Sequence, residues 1–144
     1  MRGPDPRQRF KNIGVITVPY GGKTTQEAFH PAIDVAGEIG TPIPAMTGGK
    51  VVSVVDGKKQ GDNDFGNTVN LVDQNGNQHQ YHHLQSLNVR PGDQVQQGQV
   101  IATLGNTGAT YSQSGKGDGA NLDYRIVNSY GKYYNPLTYL KKYK

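Results

Sequence analysis

Two side chains able to bind a metal ion stand four residues apart in the segment 30–36, which reads HPAIDVA. The segment is rich in strand-forming residues, and side chains alternate between the two faces of a strand. His30 and Asp34 therefore fall on one face, where a nitrogen and a carboxylate oxygen can converge on one ion. An exposed polar strand carries the same residues without any ion, so the spacing leaves both interpretations open.

Two further segments repeat this spacing. His79, Tyr81 and His83 would share one face of a strand, and Asn121 and Asp123 would share a face of another. Because the chain has no cysteine, any metal site must use histidine and carboxylate ligands. Closely spaced histidines also occur in ordinary polar hairpins, so the residue types alone do not establish a site.

Short segments with strand propensity must position these side chains. Turn signals separate them, and Asn75-Gly76 indicates a hairpin. One helical turn is predicted at 135–140, capped by Asn135 with Pro136 in the first position. This pattern predicts an all-β domain of two packed antiparallel sheets. The predicted strands are 14–19, 30–36, 50–55, 67–73, 77–84, 99–104 and 120–127.

Two other regions have a recognisable pattern. Residues 40–54 and 92–108 resemble each other weakly, as the halves of a duplicated unit would. The polar loop 110–119 has the length and composition of a mobile flap.

The order of the motifs resembles the lysostaphin/LytM-type zinc metalloendopeptidases, which cleave peptide bridges of bacterial peptidoglycan. The runs that carry the resemblance are FHPAIDVAGEIGTPIPAMTGGKVVSV, DFGNTVNLVDQNGNQHQYHHLQSL, RPGDQVQQGQVIATLGNTG, ANLDYRI and NPLTYL. The resemblance implies twisted antiparallel sheets that form a barrel-sandwich-like single domain with a groove. We expect this domain to span residues 14–140, between a basic N-terminal tail at 1–13 and a basic C-terminal tail at 141–144.

The resemblance also implies roles for individual residues. His30 and Asp34 match the family's first motif, which supplies two zinc ligands. The YHHL motif at 81–84 matches a second, whose histidine orients water or stabilises the oxyanion, so His83 is the catalytic candidate. We expect Tyr81 to line the groove and contact substrate.

The closing motif departs from the family pattern. The family has His-x-His, a catalytic histidine followed by the third zinc ligand, whereas this chain has Asn121 and Asp123. A His-Asp-Asp set would bind zinc weakly or not at all and would tolerate Mn²⁺, Mg²⁺ or Ca²⁺ better. An amide cannot exchange a proton near neutral pH, so Asn121 cannot act as a general base. His82 is a poor replacement, because in an extended strand it would face away from His83.

These features predict a degenerate metallopeptidase-like domain. It would bind a peptidoglycan peptide or a protein partner without hydrolysis, as a component of a cell-wall-directed assembly such as a phage tail. The alternative is an active metal-dependent endopeptidase with a rebuilt site. A further alternative is a biotinyl or lipoyl carrier domain, which RPGDQVQQGQVIATLGNTG also resembles, with Lys58 or Lys59 as the attachment site.

Charge and hydropathy narrow the partners. The net charge is +4, but eight of the fifteen Lys and Arg residues lie within 1–11 and 132–144. A body without a basic face argues against a nucleic-acid partner. No apolar run has the length of a membrane span and no signal peptide is visible, so we expect no membrane insertion. The expected location is the cell envelope, the extracellular space or a virion.

Overall fold

The computed structural model describes residues 5–23, 29–110 and 118–143. Within these ranges the elements are nearly all strands, and the all-β prediction is confirmed. In chain order they are α1 (Gln8–Lys11), β1 (Val15–Val18), β2 (Ile33–Ala36), β3 (Pro42–Pro44), β4 (Gly49–Val55), β5 (Asn67–Val72), β6 (Gln78–Leu87), β7 (Gln94–Val95), β8 (Val100–Leu104), β9 (Asn121–Val127), β10 (Tyr133–Tyr134) and α2 (Pro136–Lys142).

The described strands pair antiparallel along the path β1-β2-β9-β6-β5-β4-β7, which does not close into a barrel. Strand β10 pairs with the end of β9, and β8 pairs with both β3 and β6. Two separate sheets were predicted, but the structure has one hydrogen-bonded network because β6 is long enough to take part in both. The resembling segments 40–54 and 92–108 pair with each other, β3 with β8 and β4 with β7.

A bulge bends β6 at His83. The register of β6 against β5 shifts by one residue between Tyr81 and Leu84, and His83 has a φ of +67°. A positive φ is strained for a residue with a side chain and persists only where the surroundings hold it. Here the His83 backbone N–H donates to the carbonyl of Phe65 at 2.9 Å. The bulge therefore reorients the side chains that follow Tyr81 and sends the end of β6 toward β8.

Two local predictions hold in detail. The β5–β6 hairpin closes with a hydrogen bond from the Asp73 N–H to the Asn77 carbonyl at 3.0 Å, and Gly76 takes the positive φ of +81° that the turn requires. At the start of α2, the side chain of Asn135 accepts a hydrogen bond from the Leu137 N–H at 3.1 Å. Both turns thus follow from local residue chemistry.

The described part of the predicted N-terminal tail, residues 5–13, packs against the sheet. Phe10 is 1% exposed and Ile13 is 3% exposed, and both belong to the hydrophobic core. The Phe10 ring packs 5.6 Å from that of Tyr124. The tail was predicted from the basic residues around Phe10. The apolar ring of Phe10 nevertheless packs on the sheet, because burial removes it from water.

The end of the chain also belongs to the fold. Lys141 and Lys142, predicted to begin a tail, form the last turn of α2. The Arg9 guanidinium donates to the carbonyl of Tyr143 at 3.2 Å and to that of Met46. Residues 1–4, 144 and most of the predicted flap, 111–117, lie outside the described residues. No helix in the described ranges is both long and apolar enough to cross a membrane.

Candidate functional site

Three neighbouring strands carry the candidate site. Asp34 on β2 lies directly opposite Asp123 on β9, and His82 on β6 lies opposite Asp123 from the other side. Residues paired across antiparallel strands have Cβ atoms about 5 Å apart. The sheet register therefore places a carboxylate, a second carboxylate and an imidazole in a row across three strands.

The three predicted metal ligands do converge. One ligand atom each from His30, Asp34 and Asp123 lies within 4.8 Å of the others. His30 precedes β2 rather than lying within it, and its Nε2 is in hydrogen-bond contact with the Asp34 Oδ1 at 3.0 Å. Burial and the negative charge of Asp123 raise the pKa of Asp34, although the hydrogen bond from His30 opposes them.

Arg125, which the sequence did not suggest as a site residue, binds the Asp123 carboxylate. Its Nε donates to the Asp123 Oδ1 at 2.8 Å and its Nη2 to the Oδ2 at 2.9 Å, and each residue is 4% exposed. Burial alone would raise the pKa of Asp123, but the guanidinium holds it below its ordinary value. The signal was available, because residues two apart in a strand share a face.

His83 lies next to His82 at the end of this row, because the bulge in β6 brings both rings to the same ring of Phe65. The Nδ1 of His83 donates to the carbonyl of Thr107 at 2.7 Å. In the neutral imidazole this leaves the Nε2 lone pair free. The prediction that His82 faces away from His83 is wrong, since it assumed an unbroken extended strand.

His82 is held in one tautomer by its neighbour. The Thr68 hydroxyl donates its single proton to the Gly66 carbonyl at 3.1 Å, so it accepts from the Nδ1 of His82 at 2.9 Å. The Nε2 of His82 is then an unprotonated lone pair, and it is buried without a hydrogen-bond partner among the described residues. Burial lowers the pKa of His82 to about 4, although the negative charge of Asp123 opposes it, so the ring is neutral at pH 7.

Two predicted site residues have other surroundings. The Asn121 side chain donates its Nδ2 hydrogen to the Gly119 carbonyl at 2.8 Å. Tyr81 is fully buried and faces the core, where its hydroxyl accepts a hydrogen bond from the Met46 N–H at 2.9 Å. Tyr81 thus lies on the opposite face of the sheet from Asp34, Asp123 and His82, whose face we call the groove face, and we withdraw it as a substrate contact. His79 shares the core face with Tyr81, and it does not join His83 because the bulge moves His83 off that face.

Exposed aromatic rings flank the row. Phe65 is 45% exposed and stacks on His82 with ring centroids 4.3 Å apart, while the guanidinium carbon of Arg125 lies 4.7 Å from the Phe65 centroid. Phe29, next to His30, is 54% exposed and packs edge-on against Tyr20 at 5.1 Å. Exposed apolar rings beside buried polar groups are typical of binding surfaces.

Comparison with known proteins places this arrangement in a family. Residues 28–136 match peptidase family M23. The chain belongs to this family. The match confirms the predicted resemblance and covers the segment that had suggested a carrier domain. Lys58, a proposed attachment site in that alternative, forms an ion pair with Asp64 at 2.8 Å.

Individual M23 relatives align over most of the chain. Lysostaphin of Staphylococcus staphylolyticus is 34% identical over 135 residues, which is 91% of this chain and 25% of lysostaphin. A peptidoglycan DD-endopeptidase, ShyC of Vibrio cholerae, is 37% identical over 80% of this chain and 24% of its own length. The chain thus spans about a quarter of these curated relatives.

The fold agrees with solved M23 structures. The catalytic domain of the prophage-encoded M23 protein EnpA from Enterococcus faecalis, solved as an A109H mutant, superposes with a TM-score of 0.70. It is 29% identical and covers 87% of this chain and 90% of its own. The single-domain all-β architecture predicted from the sequence is therefore that of the family.

The zinc that the lysostaphin/LytM-type resemblance implies does not fit the site as it is arranged. Both oxygens of Asp123 are held by the Arg125 guanidinium. The Nε2 of His30 and the Oδ1 of Asp34 are engaged with each other. A carboxylate oxygen that accepts one hydrogen bond keeps a second lone pair, so these contacts alone do not bar an ion. The misfit is one of charge, because the Arg125 guanidinium already neutralises Asp123 and repels a second cation beside it.

Proposed function

We propose that this M23 domain binds a peptide of peptidoglycan without hydrolysing it. It would serve as a component of an assembly directed at the cell wall, at the cell envelope, outside the cell or on a virion. The observation that carries the proposal is the side chain of Asn121. It stands where the family motif has a proton-transferring histidine, and its amide cannot take up or release a proton near neutral pH.

Retained groove residues support a binding role. His30, Asp34 and His83 stand at the positions that match the family motifs, and exposed Phe29 and Phe65 provide apolar contact area beside them. One relative bears a name that indicates the ligand class, a peptidoglycan DD-endopeptidase. A groove that keeps its shape after losing proton transfer still binds the polymer, because binding and catalysis use different contacts.

One observation favours a second candidate, an active endopeptidase with a rebuilt site. His82 carries an unpartnered Nε2 lone pair beside the row, among the described residues, and a neutral imidazole is a competent base. In this candidate His82 would take the proton-transfer role that Asn121 cannot perform. The pKa of about 4 makes His82 a weak base, which is why binding without hydrolysis is the first proposal.

The test separates binding from cleavage on the same material. Purified peptidoglycan sacculi are mixed with the protein, the bound fraction is measured by sedimentation, and newly released amines and soluble fragments are measured with and without added Zn²⁺ or Mn²⁺. We expect saturable binding and no release. Release that His82→Gln or His30→Ala abolishes, while Tyr130→Ala does not, would overturn the proposal in favour of the enzyme.

A further inference from the structure

In the Asp123–Arg125 pair, a side-chain cation binds the carboxylate in the way that a metal cation would. Two parallel hydrogen bonds, of 2.8 and 2.9 Å, join the guanidinium to both carboxylate oxygens. Both side chains are 5% exposed, and the ring of Phe65 covers the guanidinium at 4.7 Å. The planar guanidinium matches a carboxylate in this geometry, and the aromatic face adds a cation–π contact.

Asp123 belongs both to this ion pair and to the group of candidate metal ligands. Asp123 is within 4.8 Å of donor atoms on both His30 and Asp34. A divalent ion bound there would approach the fixed positive charge of Arg125, in a partly desolvated site where repulsion is poorly screened. The same guanidinium neutralises one of the two carboxylates that would otherwise attract the ion.

We propose that Arg125 takes the place of the metal as the fixed cation of this groove. The unmodified domain therefore needs no ion, and His30, Asp34 and Asp123 become a divalent-cation site only when Arg125 is removed. With one nitrogen and two carboxylate ligands, the site uncovered in this way accepts Mn²⁺ more readily than a more nitrogen-rich zinc site does. This inference is compatible with the proposed function but does not depend on the ligand that the groove binds.

The experiment measures metal binding rather than activity. The wild type, Arg125→Met, Arg125→Lys and Arg90→Met are stripped with chelator and titrated calorimetrically with Mn²⁺ and Zn²⁺. Arg90 is exposed and lies outside the groove, so Arg90→Met is the matched control for losing an arginine. We expect Arg125→Met to bind one ion at least about tenfold more tightly than the wild type. Arg125→Lys, which keeps the charge, and Arg90→Met should stay like the wild type.

A stability readout accompanies the titration. Ion binding to the folded state alone raises the thermal midpoint, so Mn²⁺ should raise that of Arg125→Met and leave that of the wild type unchanged. Asp123→Asn added to Arg125→Met should remove the gain. If Arg125→Met does not fold, Arg125→Gln replaces it in the same titrations. The thermal midpoint of the wild type is a separate test, and a midpoint that does not respond to Mn²⁺, Zn²⁺ or chelator supports the proposal.

Two outcomes overturn the inference. One is stoichiometric ion binding by the wild type with Arg125 in place. The other is a folded Arg125→Met that binds no more tightly than Arg125→Lys. Neither is the failure of the proposed function, which would instead be release of peptidoglycan fragments by the unmodified chain. A metal-free wild type that released fragments would contradict the proposed function and leave this inference standing.

Discussion

Strands β6 and β9 carry two histidine–carboxylate networks on opposite faces, and they differ in how completely they are satisfied. On the core face, the Nε2 of His79 contacts the Asp73 Oδ2 at 2.8 Å and its Nδ1 contacts the Tyr124 hydroxyl at 2.5 Å. The Tyr139 hydroxyl donates to the same Asp73 oxygen at 2.5 Å. Both ring nitrogens of this histidine therefore have partners, and the network joins the β5–β6 hairpin to α2.

The groove face uses similar residue types with a different result. The Nε2 of His82 has no partner among the described residues, and the Asp34 side chain is 19% exposed. Buried polar groups in a folded protein are nearly always paired, and two side-chain atoms among the described residues are not, the Oδ1 of Asn70 and the Nε2 of His82. The Nε2 of His82 lies beside the exposed ring of Phe65, so we expect a ligand on this face. The comparison teaches that residue type alone does not distinguish a structural network from a site, whereas pairing and access do.

The largest expected effect comes from breaking the core network. Asp73→Ala should lower the free energy of unfolding by about 3 to 5 kcal/mol, because it removes the carboxylate shared by the buried His79 and the partly buried Tyr139. Asp34→Asn, on the groove face, should change it by no more than about 1 kcal/mol, since burial already disfavours the charge of Asp34. Urea unfolding at pH 7 measures both. Equal losses in the two variants would remove the distinction between the faces.

Acid should destabilise the domain through His82. Its pKa is about 4 in the folded state, below the ordinary 6.5, so the unfolded state binds more protons between these values. The stability is then intact above pH 6.5 and falls as the pH drops toward 4. We expect a loss of about 2 to 3 kcal/mol between pH 7.5 and 4.5.

His82→Gln is the control for this loss, because it keeps polarity and removes the titrating ring. Its unfolding free energy, measured over the same pH range, should fall by clearly less than that of the wild type. A variant with an unchanged pH slope would show that other groups titrate, and that the groove histidine is not held neutral by burial.

A smaller effect is expected on binding. Phe65→Ala removes a 45% exposed ring from the groove and should weaken attachment to sacculi about fivefold, equivalent to about 1 kcal/mol. Tyr130→Ala is the matched aromatic control, since Tyr130 is 95% exposed and lies beyond the far end of β9. Sedimentation isotherms should separate the two variants. Identical losses would point to general surface stickiness instead of a groove.

The smallest expected effect is on hydrolysis, which we expect not to appear when the family motif is restored. Restoring the family motif with Asn121→His and Asp123→His together should not produce hydrolysis while Arg125 is present, because the guanidinium then loses its carboxylate and repels an incoming ion. Amine release from sacculi, with Zn²⁺ added, is the measurement. Cleavage by the double variant would mean that Arg125 is no obstacle and that the two motif residues were the whole deficit.

Local chemistry made much of the fold predictable. Strand propensity between turn signals located seven strands within a few residues of their observed bounds, and the turn at Asn75-Gly76 and the cap at Asn135 depend only on near neighbours. The short strands β3, β7 and β10 were missed, because two or three residues carry no period. Phe10 was missed because a single apolar residue among charges gives no pattern, and only the sheet decides whether it docks.

Alternation predicted only that His30 and Asp34 share a face, and the family resemblance supplied Asp123 as the third group. The three converge because β2 pairs with β9. The bulge at His83 was not predictable, since nothing in two adjacent histidines signals a positive φ. Alternation alone puts His82 on the face opposite Tyr81, and the bulge adds His83 to the face of His82.

The contact between Arg9 and the carbonyl of Tyr143 has a practical consequence for engineering. It brings the first helix and the last described residues side by side, so the domain has entry and exit points that nearly coincide. Such a unit can be spliced into a surface loop of a host protein, or permuted to new ends, with little distortion. A version trimmed at residue 14 would lose Phe10 and Ile13 and uncover apolar surface, so any excision should begin upstream of α1.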